Sequence, residues 1–311
     1  MKKKILFFVK CIVLVLFLYV FCFMVVMPQY LGNYQAVTVD KVQKLKATDG
    51  PKIVLIGNSN LAFGIDSQLI EEAFHMPVIN MGVHGGVGNA FNEEAARINV
   101  DEGDLYIICH TNYDDEDVIK NQKLAWITLE NHYELYSMVR AKDWPDMIKA
   151  YPTYLKDCLY KWRTRSGNQE TNDAYRRSAF NEYGDNYYPR PVSQENIDFS
   201  PVTINHINEQ SAKRLNALNA YLTQRGADMV IAAYPIANYE KAPSKEEYLQ
   251  MGQEMADVLD CSVISDFRDY MYDPSLFYDT HSHLIDEGVA IRTNQLISDI
   301  KNYMDGKRIY E

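Results

Sequence analysis

The sequence predicts an α/β fold built on a five-stranded parallel sheet with helices on both faces. Three observations predict it. Short apolar runs rich in β-branched residues recur along the chain. Each is followed by a stretch of helical spacing. The two alternate five times, which is the rhythm of parallel strands joined by helical crossovers. With 311 residues, 47% of them hydrophobic, the chain is long enough for one large core.

The first 28 residues stand outside that rhythm. "MKKKILFFVKCIVLVLFLYVFCFMVVMP" opens with three lysines, and Cys11–Met27 gives 17 residues without a charge. At about 1.5 Å per residue this uncharged stretch is long enough to cross most of a bilayer core. Lys10 can lift its ammonium to the headgroups. A cleaved signal peptide is the competing reading. However, the run is longer than such a core usually is, and the bulky "VVMPQYLG" offers no small-residue cleavage site. The basic start favours a cytoplasmic N-terminus. We therefore expect residues 1–28 to be a single-pass membrane anchor, 29–50 a polar linker, and 51–311 an extracytoplasmic domain.

The elements of that domain follow in order. "KIVLIGN" (52–58) is an uninterrupted apolar run, as expected of a buried parallel strand. "SQLIEEAF" is helical. "MPVINMG" (76–82) is the second strand, followed by a glycine loop and the helical "NAFNEEAARINV". "DLYIICH" (104–110) is the third. "NEQSAKRLNALNAYLTQRG" is a helix stopped by glycine. "ADMVIAAYP" (227–235) is the fourth strand, "KEEYLQMGQEMADVLD" a helix, "CSVISDF" (261–267) the fifth strand, and "IDEGVAIRTNQLISDIKNYMD" the closing helix. Residues 113–205 interrupt the pattern as a mostly helical insertion holding Trp126, Trp144 and Trp162. An insertion this long at a strand's carboxyl end is placed to cover a ligand crevice.

Composition narrows the function. The net charge of −11 argues against a protein that tracks nucleic-acid phosphates. Cys109, Cys158 and Cys261 read as small buried apolar residues rather than a disulfide framework. No CxxC motif offers a thiolate zinc site. "GVHGGVGNAF" lacks dinucleotide-binding spacing and follows the second strand, so no nucleotide cofactor is expected.

Sites in open α/β sheets form at the carboxyl ends of the strands. There the first strand offers Asn58, Ser59 and Asn60; the second Gly82 and His84; the third His110, Thr111 and Asn112. After the fifth comes "FYDTHSHLID" (277–286), with Asp279, His281 and His283. A serine on a tight turn is either a helix cap or a nucleophile activated by an imidazole that a carboxylate orients. His281-x-His283 also suggests a metal-dependent hydrolase with Asp279. Ile285 breaks the H-x-H-x-D-H pattern, and no histidine follows His283. Asp279 and His283 can instead supply the far half of a triad.

At these residues the chain resembles a family. "IVLIGNSNLAFGID" and "FYDTHSHLIDEGVAIRT" look like the first and last blocks of SGNH (GDSL-like) hydrolases. The likeness is to membrane-anchored bacterial members similar to the D-alanyl-transfer and alginate O-acetylation proteins. It covers roughly residues 50–112 and 208–303. It implies a flavodoxin-like three-layer domain with Ser59 as nucleophile, Asp279 as orienting acid and His283 as base. The implied oxyanion donors are the Ser59 and Gly82 N–H groups and the Asn112 side chain, and Asn58, Asn60 and His281 become substrate contacts. The third block departs from the family, because "CHTNYDD" lacks the Gly-x-Asn-Asp glycine. The implied function is a serine esterase or O-acyltransferase acting on acyl esters of a cell-envelope polysaccharide, without a cofactor. A membrane-embedded O-acyltransferase is the implied partner. An inactive module of the same fold that binds glycan is the alternative.

Overall fold

The computed structural model describes residues 2–130, 132–167, 172–204 and 206–310. The chain opens with α1 (Lys2–Val20), which continues through Phe21–Val26 with π-type hydrogen bonds, then α2 (Val37–Ala47). The first strands and their helices are β1 (Ile53–Gly57), α3 (Ser59–Ala62), α4 (Ser67–Phe74), β2 (Val78–Asn80), α5 (Asn89–Glu93) and β3 (Leu105–Cys109). The inserted segment contributes α6 (Gln122–Leu129) and α7 (Trp144–Thr164). The remainder is α8 (Glu209–Thr223), β4 (Asp228–Ile231), β5 (Ile236–Ala237), α9 (Lys245–Val258), β6 (Ser262–Val263), β7 (Met271–Tyr272) and α10 (Asp286–Met304).

Five strands form one parallel sheet in the order β2-β1-β3-β4-β6. Ile53–Gly57 of β1 pairs residue for residue with Leu105–Cys109 of β3, and Ile53 also faces Val78 of β2. Both central strands are buried along their whole length, which is why they read as continuous apolar runs. The chain steps outward from β1 to β2, then crosses back to β3, so the strand order reverses between β1 and β3. In an open parallel sheet the crevice at such a reversal is where ligands bind.

Three features differ from the expected organisation. Residues 29–50 are packed against the domain rather than forming a free linker. Val39, Val42 and Leu45 repeat every third residue along α2 and are buried in the core, a stripe hidden in the sequence by interleaved Lys, Asp and Thr. The fifth sheet strand pairs only over Ser262–Val263, and the Ile264 N–H still reaches the Ile231 carbonyl. Beyond it, Ser265 turns inward to Asp299 at 2.6 Å and Asp266 caps the next turn. The pair of short strands β5 and β7, parallel to each other, was not foreseen.

In the insertion, Trp126 lies buried among Trp144, Tyr151 and Tyr154, and its Nε1 donates to the Met147 carbonyl at 2.7 Å. Trp162 packs edge-on against Phe21 of the first helix. From Asn172 onward the described part of the insertion is short 3-10 turns and extended chain that folds back over the end of β1.

Candidate active site

Ser59 is the first residue of α3, directly after β1 and the Asn58 cap. A buried network fixes this turn. Asn60 Nδ2 donates to the Cys109 carbonyl at 3.0 Å, and Arg292 of α10 donates from Nη2 to Asn60 Oδ1 at 2.6 Å. Asn60 is wholly buried, so it builds the turn and does not face a substrate. Asn58 Nδ2 reaches across to Thr111 Oγ1 at 2.8 Å, tying the ends of β1 and β3 together. Ser59 itself is half-buried, and among the described residues its hydroxyl has no hydrogen-bond partner. As the first residue of a helix, its N–H also lacks an intrahelical acceptor.

The tract 277–286 closes on itself. The Tyr278 N–H donates to the His283 carbonyl at 2.8 Å, and the N–H groups of Ser282 and His283 both reach Thr280 Oγ1. Gly288 allows the start of α10 to approach this tract. A Cβ there would lie 2.9 Å from the Leu276 carbonyl oxygen. The closed turn brings Asp279 and His283 together, with Nδ1 to Oδ1 at 2.8 Å. His283 stacks on Phe63, with centroids 4.2 Å apart and planes within 11°. Phe63 lies one helical turn beyond Ser59, and its N–H donates to the Ser59 carbonyl. The imidazole therefore packs on the same turn of chain that carries the serine. Its Nε2 has no partner among the described residues.

A tyrosine from the insertion completes the pair. Tyr175 donates its hydroxyl proton to Asp279 Oδ2 at 2.6 Å, and its oxygen lies 3.2 Å from His283 Nδ1. Burial raises the Asp279 pKa. The hydrogen bond and charge of His283, the Tyr175 hydroxyl and the Arg190 charge together outweigh that and hold the carboxyl below the usual range. Asp279 is therefore an acceptor. Nδ1 of His283 carries the proton it donates, and the Nε2 lone pair is free. Arg190, also from the insertion, is buried over the Phe63 ring and donates Nε to the Leu284 carbonyl at 3.0 Å, latching the residue after His283.

Of the proposed oxyanion donors, two are already engaged. The Gly82 N–H donates to Asn80 Oδ1 at 2.9 Å. The Asn112 side chain folds into its own turn, its Nδ2 donating to the Asp114 carbonyl at 3.3 Å and its Oδ1 accepting from the Asp114 N–H at 2.8 Å. Gly82 is required for another reason: a Cβ there would lie 2.7 Å from Leu61 Cβ and 2.8 Å from the Asn58 carbonyl oxygen. Its own carbonyl accepts from Lys41, whose pKa burial pushes down to about 7 against the pull of Asp185. His281 is half-buried beside Thr111 and Ser282, in a cleft of only 20 Å³. Burial first, then the charge of His283, lowers its pKa. His84 lies close enough for the same two effects. Among the described residues no three His, Cys, Asp or Glu side chains converge as a metal ion requires.

Tyr175, Arg190, Phe63 and Tyr34 were not singled out by sequence. Tyr34 lies in one aromatic cluster with Phe63, Tyr175 and Phe180. No local signal marks these residues, because each meets the site from a distant segment. The expectation that the 113–205 insertion covers the crevice is the nearest hint. No family model matches the chain, and no curated protein matches it.

Proposed function

We propose that this chain is a membrane-anchored serine esterase or O-acyltransferase of the SGNH type, facing away from the cytoplasm. The observation that carries the reading is the hydrogen-bonded Asp279–His283 pair, whose imidazole stacks on Phe63 just beyond the helix that starts with Ser59. The strand order supports a flavodoxin-like three-layer fold, with the site at its switch point. The helix Lys2–Val26 is long and apolar enough to cross a membrane, and supports the anchor.

In this reading Ser59 Oγ attacks an acyl carbonyl while its proton passes to His283 Nε2. Asp279 holds the Nδ1–H and stabilises the imidazolium that forms. The oxyanion takes the Ser59 N–H. Collapse expels the alkoxide, which leaves with the proton from Nε2, and an acyl-Ser59 ester remains. Water or a sugar hydroxyl then gives its proton to His283 and takes the acyl group, and Ser59 Oγ leaves with the proton returned from Nε2. An anchored site outside the cytoplasm makes an envelope polysaccharide the natural acyl carrier, and a membrane-embedded acyltransferase the natural partner. Ser59→Ala in the full chain should abolish hydrolysis of p-nitrophenyl acetate. Unchanged hydrolysis would end the proposal.

One observation favours a second reading, a glycan-binding module with little or no catalysis. Only one of the three expected oxyanion donors is unengaged. Absence of any covalent adduct with a fluorophosphonate, with glycan binding intact, would select it. The metal-dependent reading has less support, since Asp279 and His283 pair with each other and no third ligand joins them among the described residues.

A further inference from the structure

Helix α7 carries three distinct faces. Met147, Tyr154 and Cys158 are buried against the core. Next to them around the helix, Ile148, Leu155, Leu159 and Trp162 fall within an arc of roughly 60° at 3.6 residues per turn. Three of these are well exposed: Ile148 at 65%, Leu159 at 40% and Trp162 at 44%. Beyond them, on the side away from the core, come Lys149, Lys156 and Arg163. All three are exposed, and none has an acidic partner among the described residues. An apolar stripe with a basic border is the pattern of a helix lying in a membrane interface.

The position of α7 is fixed relative to the first helix. Trp162 meets Phe21 edge-on at 5.6 Å, and Tyr151 stacks on Phe23 at 5.9 Å and reaches Met27 Sδ at 3.5 Å. Lys161 sits over the Tyr30 ring at 5.0 Å. Glu130, at the end of α6, accepts from the N–H groups of Gln29 and Tyr30 at 2.6 and 3.0 Å. The chain leaving the apolar helix is thus bound along three turns of α7. Phe21 belongs to the apolar span, so the residue that touches it lies at the depth of the span's end.

We propose that α7 is a membrane-interface element that seats the domain on an anionic bilayer. Its Ile148, Leu155, Leu159 and Trp162 enter the boundary between headgroups and acyl chains. Lys149, Lys156 and Arg163 face lipid phosphates. The proposal rests on reading Lys2–Val26 as membrane-spanning, and it fixes the height of the Ser59–His283 crevice above the surface.

The test uses the full chain in bilayers whose lipids carry bromine at shallow or deep acyl positions. Trp162 emission is taken as the difference between wild type and Trp162→Phe. Leu14→Trp in that background reports on the first helix. Shallow bromine should quench most of the Trp162 emission, and deep bromine should quench Leu14→Trp more strongly. Replacing Lys149, Lys156 and Arg163 by Gln should weaken the Trp162 quenching in anionic bilayers. Quenching of Leu14→Trp without quenching of Trp162 overturns the inference and leaves the anchor standing. Quenching of neither overturns both.

Discussion

Two histidines sit at the carboxyl edge of this sheet, each bonded to a carboxylate, and they differ in every respect that matters for catalysis. His283 turns Nδ1 to Asp279 at 2.8 Å, stacks on Phe63 one turn beyond Ser59, and has no partner at Nε2 among the described residues. His110, just past β3, turns Nε2 to Glu93 at 3.1 Å, and its Nδ1 is buried without a partner among the described residues. Glu93 is claimed again by Arg214 at 2.6 Å. Burial raises the Glu93 pKa, but His110 and Arg214 together bring it below the usual range. His110 is wholly enclosed, so no substrate can reach it. A histidine–carboxylate pair is thus not a catalytic device in itself. What matters is which ring nitrogen the carboxylate takes, and whether the other one faces a nucleophile.

Substitution of both histidines sharpens this contrast most. His283→Ala should lower kcat/KM for an activated ester by roughly 10³-fold or more, and should also lower stability, because the ring is buried against Phe63 and bonded to Asp279. His110→Ala should show the stability loss alone. It should leave kcat/KM nearly unchanged and cost about 1–3 kcal/mol of stability, because it strips a buried bond from Glu93. Chemical denaturation beside steady-state kinetics reads both. Equal losses of activity in the two variants would break the contrast. Asp279→Asn is next, at roughly 10²- to 10⁴-fold in kcat, because an amide no longer fixes the tautomer that presents Nε2.

Tyr175→Phe should have a smaller effect, about two- to tenfold in kcat/KM. Its signature is in how the loss divides. A carboxylate held less firmly against the imidazole should lower kcat and leave KM unchanged. A purely structural tyrosine would lower the melting temperature and leave kcat of the folded protein unchanged.

A separate effect, on stability and not on activity, lies away from the crevice, at Glu130. Burial, against the pull of the Gln29 and Tyr30 N–H groups, lifts its pKa from 4.5 to about 7. Between those values the folded chain keeps a proton that the unfolded chain has lost. Stability should therefore fall as pH rises through that window and level off above about 7. Glu130→Gln should flatten this slope, worth at most a few kcal/mol at about 1.4 kcal/mol per unit. Thermal unfolding across pH 4–8 checks it.

How much of this was legible beforehand depends on how local each feature is. β1 and β3 read directly as strands because burial on both faces makes every residue apolar. The Asp279–His283 pairing is a four-residue matter within a turn bracketed by Tyr278 and His283, so spacing suggested it. Tyr175 stands 104 residues before Asp279 in the chain and Arg190 stands 94 before Leu284, and no periodicity connects such partners. α2 reads as a linker because Lys41 and Thr38 interrupt its apolar stripe, yet both are buried. The place of Asn60 beside Ser59 suggests a substrate contact. Only the fold shows Arg292 drawing its side chain inward.

The central claim is that Ser59, His283 and Asp279 act as one unit. Reaction of the full chain with a fluorophosphonate, followed by mass spectrometry of the modified peptide, tests it most directly. A single adduct on Ser59, lost in His283→Ala but retained in His110→Ala, is the predicted result. An adduct on Ser59 that forms equally well in His283→Ala, or no adduct at all, would contradict it.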